Sequence, residues 1–169
     1  PQNLACGNYR IEEVTAPDGY TLNTVYAEIK VDSNTAYQVD GVSKDAIIEV
    51  EYENHPAKGK LIIHKDGEVL SGFDDDFHYE AADLAGAVFQ VYAAEDIVTP
   101  EGTVYYRAGD LVDTVKTDRT GMAQSAELEL GHYTVKEVAT TWGYLTNGEP
   151  IDVELAYTGQ AVTIYPKYL

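Results

Sequence analysis

Two stretches of the chain share one pattern: residues 9–20 read YRIEEVTAPDGY and residues 133–144 read YTVKEVATTWGY. Tyr, an apolar residue, Glu, Val, Gly and Tyr follow in the same order, and Glu13 lies 124 positions before Glu137. A repeat of this length is typical of globular domains in series rather than of a short-period solenoid. Each glutamate shares a two-residue period with a Tyr and an aliphatic residue, which places all three on one face of a predicted strand. If that face is buried, each glutamate lies in a core where an ionised carboxylate is costly.

Short segments of β-type composition surround both copies, and Gly and Pro separate them. The predicted strands are residues 8–14, 24–31, 46–53, 60–65, 87–93, 111–117, 132–138, 151–155 and 161–165, with turns at 17–19, 66–67, 120–121 and 147–148. No convincing amphipathic helix is predicted. Strands at this spacing are typical of an all-β antiparallel sandwich.

The best candidate for a linker is HPAKG at residues 55–59, which lies between the two copies of the pattern. Residues 57–169 have room for one complete sandwich of roughly a hundred residues. Residues 1–56 contain the glutamate strand but no counterpart of residues 60–115. We therefore expect the first module, residues 1–56, to be the C-terminal part of an incomplete domain whose opening strands lie outside this sequence. The second module, residues 57–169, is expected to be complete.

The charge balance excludes several partners, because 11 basic and 29 acidic residues give a net charge of −18. Nucleic acid needs a concentrated cationic surface, and anionic lipid is disfavoured for the same reason. No stretch is long and apolar enough to cross a bilayer. Cys6 is the single cysteine, so no internal disulfide can form, and its alignment with Leu130 predicts a small apolar filler.

Three further runs point to a known family: KGKLIIHKD at residues 58–66, LAGAVFQVY at 84–92 and APDGY at 16–20. Together with residues 133–144 they resemble the B-type repeat of collagen adhesins, a fold that also occurs in SpaA-like pilin domains of Gram-positive cell surfaces. The resemblance implies transthyretin-like (prealbumin-like) sandwiches in tandem. It also implies a structural stalk segment of a wall-anchored, extracellular adhesin or pilin, which is not a turnover enzyme and needs no cofactor.

The resemblance further implies a self-formed amide between a first-strand Lys and a last-strand Asn or Asp, assisted by the glutamate. Burial would lower the pKa of the lysine and raise that of the glutamate, so that a neutral amine attacks while the acid shuttles protons. In the second module Lys65 and Glu137 match, but Pro166 stands at the acceptor position, so we expect an ion pair without an amide. In the first module Glu13 and Asn54 match, but no first-strand lysine precedes them. Alternatively, Lys65 is an exposed strand-end residue and Asn54 only begins a turn.

The end of the chain, Tyr165-Pro166-Lys167, resembles a pilin motif whose lysine is joined by a sortase to the next subunit. This resemblance implies other pilin subunits as partners, in addition to neighbouring modules of the same chain.

The main alternative function is a direct binding module for a host matrix protein or glycan, which would use an exposed Tyr-bearing loop such as residues 99–107. Residues 74–76, DDD, form either a cation site or a solvated acidic loop, without the ligand spacing of a Ca²⁺ loop. The four histidines lack metal-pair spacing, and no nucleophile-elbow motif supports a hydrolase.

Overall fold

The computed structural model of the chain describes residues 4–32, 37–39, 42–44 and 48–158, and for residues 37–39 and 42–44 it describes the backbone alone. All regular structure in these ranges is β-strand. The strands of the first module are β1 Gly7–Ile11, β2 Ala27–Val31, β3 Tyr37–Val39 and β4 Val42–Lys44. Those of the second module are β5 Lys58–Gly59, β6 Ile62–His64, β7 Asp66–Phe73, β8 Phe77–Asp83, β9 Val88–Ala93, β10 Ile97–Val98, β11 Val104–Tyr106, β12 Leu111–Lys116, β13 Met122–Gln124, β14 Leu128–Glu129, β15 Gly131–Ala139 and β16 Ile151–Leu155.

The second module is a two-layered sandwich. One layer is an antiparallel sheet in the order β12-β9-β15-β16. The other layer holds the short ladders β6–β13 and β5–β14. One core joins the two layers, formed by Leu61, Ile63, Ala87, Phe89, Val91, Ala93, Ile97, Val115, Ala123, Leu128, Tyr133, Val135, Val153 and Leu155. The predicted all-β sandwich is therefore confirmed.

Strand alternation decides which side chains enter this core. In β9, Phe89, Val91 and Ala93 are buried, and the residues between them are half-buried on the other face. In β15, Tyr133 is completely buried, and its hydroxyl donates to Glu129 O at 2.7 Å. This burial raises the pKa of Tyr133 far above its usual range. The face that carries Tyr133 and Val135 is thus the core face, as the two-residue period predicts.

The predicted strand at residues 46–53 is wrong over its described part, since residues 48–53 form no strand. Side-chain bonds hold this segment instead. Tyr52 Oη donates to Ile11 O at 2.7 Å and accepts from Ala27 N at 3.1 Å, at the end of the β1–β2 ladder. The alternating pattern predicted a strand, but the segment only lies beside the β1–β2 ladder and is held to it by the Tyr52 hydroxyl. The predicted strand at residues 161–165 lies outside the described residues.

The predicted turn at residues 66–67 is also wrong, because β7 begins there and pairs with β8 as a long hairpin. Gly67 serves close packing rather than a turn. A Cβ at this position would lie 2.5 Å from Leu84 Cδ1 and 2.9 Å from Tyr144 Cε1. The glycine therefore lets the base of the hairpin pack against the sandwich.

The first module contributes the ladder β1–β2, and its residues 19–21 bond to the predicted linker. Ala57 N donates to Gly19 O at 2.7 Å, Thr21 N donates to His55 O at 2.8 Å, and Tyr20 forms an antiparallel bridge with Pro56. Cys6 is exposed, so the expectation of an apolar filler is wrong. The neighbouring Gly7 is exposed as well, because no described layer covers this end of β1.

Candidate functional site

Glu137 lies on the core face of β15, and its carboxylate is almost completely enclosed, with a side chain 3% exposed. Its Oε2 atom accepts from Asn147 N at 2.6 Å and lies 3.4 Å from Lys65 Nζ. Its other oxygen, Oε1, is buried and has no hydrogen-bond partner among the described residues. The structure therefore brings Lys65 and Glu137 together as the ion pair expected from the sequence.

The backbone of Lys65 is fixed on both sides, in the gap between β6 and β7. Lys65 N donates to Gly121 O at 2.8 Å, and Lys65 O accepts from Leu84 N at 2.9 Å. Gly121 has a φ of +68°, and a Cβ there would clash with Lys65 O. The lysine side chain, 22% exposed, thus extends from a backbone held by two hydrogen bonds to the buried carboxylate.

The ion pair opens into a cleft of about 210 Å³. Phe89, Val135 and Ile151 form its apolar wall, while Asn147 and Glu149 form part of its polar side. Pro166, which stands at the acceptor position of the second module, lies outside the described residues. The absence of an amide at Lys65 accordingly stays a prediction.

In the first module, Glu13 is half-buried and binds the side chain predicted for it. Its Oε2 atom accepts from Asn54 Nδ2 at 2.7 Å and from Asn23 N at 2.7 Å. Asn54 Nδ2 also donates to Thr21 O at 3.0 Å. Both amide hydrogens of Asn54 face acceptors, so this network fixes the orientation of the carboxamide.

The chemistry open to this pair follows from which atom of Asn54 faces the acid. Nδ2 is the nitrogen that would leave as ammonia if an amine attacked the Asn54 carbonyl carbon, and it already lies within hydrogen-bond distance of Glu13. A carboxyl group at this distance can pass a proton to a leaving group. No ion pair joins Glu13 to a lysine within the described part of the chain.

The two glutamate sites share geometry that the sequence reasoning missed. Asn23 and Asn147 lie 124 positions apart, like the glutamates, and each donates its backbone N–H to the Oε2 atom of its glutamate. Each asparagine Oδ1 also accepts from the backbone N–H two residues further on, at 2.9 Å and 3.2 Å. The available signal was the continuation of the repeat, YTLN at residues 20–23 against YLTN at 144–147.

A second repeated contact fixes the start of each glutamate strand. Tyr9 Oη donates to Ala5 O at 2.7 Å, as Tyr133 Oη does to Glu129 O. In both modules the tyrosine thus bonds to the carbonyl four residues earlier. The repeat in sequence is therefore a repeat in hydrogen bonding at both ends of the strand.

Of the other predicted candidates, the acidic run at residues 74–76 lies within the described residues and Lys167 does not. Residues 74–76 form the loop of the β7–β8 hairpin, and no metal-binding cluster of His, Cys, Asp or Glu occurs among the residues that the structure describes. Within the described ranges there is no helix of the length and apolarity that crossing a membrane requires.

Comparison with known proteins identifies the family. A family model of the SpaA prealbumin-like fold domain matches residues 1–45 and 78–167, and the chain belongs to this family. The predicted transthyretin-like class is thereby confirmed. No curated protein sequence matches the chain.

Among solved structures, the Bacillus anthracis TIE protein is similar, with 26% identity and a TM-score of 0.55 over 99% of this chain. The chain spans 25% of the length of that protein. A streptococcal ancillary pilin matches with 22% identity and a TM-score of 0.39, and the match covers 98% of this chain and 43% of the pilin. GBS52, the minor pilin of Streptococcus agalactiae, matches with 20% identity and a TM-score of 0.39, and the match covers 86% of this chain and 60% of GBS52.

Proposed function

We propose that the chain is a structural stalk segment of a Gram-positive, wall-anchored surface adhesin or pilin, which holds ligand-binding parts away from the cell. The observation that carries this proposal is the glutamate site, which occurs twice in series in a chain of the SpaA family and in both copies accepts a hydrogen bond from an asparagine N–H. The role of the chain in this proposal is mechanical, and it turns over no substrate. The net charge of −18 suits such a segment, because mutually repelling surfaces stay soluble and apart.

Contacts between the modules support a load-bearing role. Tyr20 Oη donates to Glu101 Oε1 at 2.6 Å, and a Cβ on Gly19 would lie 3.2 Å from Pro100 Cγ. Tyr157 Oη donates back to Tyr20 O at 3.3 Å. Together with the backbone bonds to residues 55–57, these contacts join two modules by several short links instead of one free linker. A stalk needs a stiff joint of this kind, because modules joined by a freely bending linker cannot hold a ligand-binding part at a fixed distance from the cell.

The Glu13–Asn54 pair supports a covalent reinforcement of the first module. A neutral lysine amine would attack the Asn54 carbonyl carbon, a C–N bond would form, and the bond to Nδ2 would break. Glu13, as the neutral acid, would give its proton to the leaving nitrogen and take one from the attacking amine, so that ammonia departs and the acid is regenerated. Peptide mapping of the cross-link would identify the lysine, which the sequence alone does not mark. The step needs no cofactor, because the fold would hold the amine and the Asn54 carbonyl carbon in contact.

In this function the neighbouring modules of the same chain are the first partners. Lys167 would add a second kind of partner, a further pilin subunit joined by a sortase, if its ammonium is exposed. Replacing Lys167 with Ala in the native host tests this role, because the ladder of covalent polymers should disappear. An unchanged ladder would remove Lys167 from the assembly.

Cell fractionation tests the stalk function as a whole. An antibody against the chain should label intact host cells, and the protein should be released with the wall fraction after muralytic digestion. Deletion of the host sortases should shift it to the culture medium or the membrane fraction. Retention in the cytosol, or unaltered wall attachment without any sortase, would contradict the proposal.

A further inference from the structure

The β7–β8 hairpin carries four large apolar side chains on one exposed face, which we call the hairpin face. Leu70, Phe73, Phe77 and Tyr79 are 55%, 66%, 62% and 60% exposed. Leu70 pairs with Tyr79 and Phe73 with Phe77 across the two strands, and Phe77 and Tyr79 are two residues apart. A register shift between Leu70 and Gly72 inserts an extra residue, which returns Phe73 to the same face as Leu70.

These four residues do not serve the core. None of them belongs to the buried cluster of the sandwich, and in the described residues β7 and β8 pair only with each other. The hairpin packs at its base, where Leu84 is buried and Gly67 lies against Tyr144. Beyond that base the Phe73 and Phe77 rings lie 4.9 Å apart between their centroids. Clustered exposed apolar side chains of this kind mark interaction sites.

Apart from His78, the charged residues of the hairpin are all of one sign. Residues 66–83 contain seven acidic residues and no Lys or Arg. At the tip, Asp74 Oδ1 accepts from Asp75 N at 2.6 Å and from Asp76 N at 3.2 Å, and lies 2.9 Å from His78 Nε2. The hydrogen bond with His78 and those from the backbone lower the pKa of Asp74. The tip thus holds the Asp74 carboxylate ionised beside two aromatic rings.

We propose that the hairpin face binds an arginine-bearing polypeptide segment of a partner protein. A guanidinium group satisfies both features at once, because it stacks on an aromatic ring and pairs with carboxylates through two parallel hydrogen bonds. Lysine offers a compact charge without the planar surface. A second copy of this chain fits poorly, since two hairpins would bring their acidic residues together. This binding role goes beyond the stalk function and does not depend on it.

Peptide titration of the whole chain tests the proposal. The probe is a fluorescent Arg-Pro-Gly repeat peptide, with Lys-for-Arg and Glu-for-Arg counterparts, followed by anisotropy and by ¹H–¹⁵N chemical shifts. The arginine peptide should bind most tightly and shift amides of residues 66–83. The triple variant Phe73→Ser/Phe77→Ser/Tyr79→Ser should weaken binding about tenfold or more, as expected when several ring contacts are lost. Tyr105→Ser, which removes an exposed ring elsewhere, should leave binding unchanged.

The triple variant keeps every acidic residue, so it separates ring contacts from general attraction of cations. Equal binding by the triple variant, or equal binding of the arginine and lysine peptides, would overturn the proposal. A second variant, Asp74→Asn/Asp75→Asn/Asp76→Asn, retains the rings and should also weaken binding. Concentration-dependent dimerisation that the triple variant abolishes, seen by sedimentation without any peptide, would assign the face to a second copy and also overturn it.

Discussion

Removing the Glu137 side chain should destabilise the second module less than removing the Tyr133 side chain. In Glu137→Ala, Asn147 N–H loses its acceptor and Lys65 loses its partner. Asn147 is exposed, so its N–H can bond to water instead, and the cost is that of one lost hydrogen bond to a charged acceptor, about 1.5–3 kcal/mol. Lys65 is 22% exposed and can turn its ammonium to water, so the full penalty of an isolated buried charge does not apply. We expect a loss of about 1.5–3 kcal/mol in the free energy of unfolding.

Tyr133→Ala should cost more, because it empties a fully buried position at the centre of the core. Large aromatic residues truncated to Ala in cores cost about 3–5 kcal/mol, and here Glu129 O loses its hydrogen bond as well. Glu137→Gln is the matched control for the carboxylate. Its amide oxygen still accepts from Asn147 N–H, so we expect a smaller loss than for Glu137→Ala.

Native-state hydrogen exchange of the β15 amides in the whole chain is the appropriate assay, because it reports the opening of the second sandwich and not of the first module. The order of destabilisation should be Tyr133→Ala, then Glu137→Ala, then Glu137→Gln. A Glu137→Ala loss equal to or larger than that of Tyr133→Ala would refute the reasoning. It would mean that Glu137 anchors a buried polar network on which the core depends.

Two further predictions concern Gly121 and Lys58. Gly121→Ala should lower the free energy of unfolding by more than about 1 kcal/mol in thermal melts, because a left-handed φ is combined with a clash against Lys65 O. Gly109→Ala is the control, since Gly109 has a φ of +89° with open space around it, and it should cost less. Equal losses would rule out the clash. Glu129 raises the pKa of Lys58 above 10.5 through a 2.6 Å ion pair, so the stability from this pair is complete below pH 10.5 and is lost as the pH rises through the folded-state pKa. Lys58 is half-exposed but Glu129 is buried, so Lys58→Met leaves a buried carboxylate unpaired. Urea unfolding should therefore show a wild-type minus Lys58→Met difference that is largest below pH 10.5 and shrinks at higher pH, and a constant difference would contradict the assignment.

The sandwich itself was predictable because its central strands carry strong alternation between turn signals. The predicted strand at residues 151–155 matches β16, that at 87–93 begins one residue before β9, and that at 132–138 is one residue shorter than β15 at each end. The hairpin was not predictable in the same way. Its Asp-Gly dipeptide reads as a turn, although the glycine serves packing against Leu84, and its exposed aromatics break the usual pattern of polar residues on an outer face.

The site was predictable where side chains define it. The shared phase of Tyr133, Val135 and Glu137 indicates the core face, and the structure buries all three. The backbone donors of Asn23 and Asn147 were missed because any residue type supplies an N–H group, so only the repeat marks them. A lysine partner for Asn54 was not predictable, since no lysine precedes Glu13 in the printed sequence.

The most direct test of the repeated glutamate site is the intact mass, under denaturing conditions, of the protein isolated from its host, together with peptide mapping. A Lys–Asn54 amide predicts a mass lower by one ammonia, mapped to an Asn54 peptide, and the full calculated mass in Glu13→Ala. The same map should show Lys65 unmodified. A wild-type protein at its full calculated mass, a deficit that survives Glu13→Ala, or a cross-link at Lys65 would contradict the account.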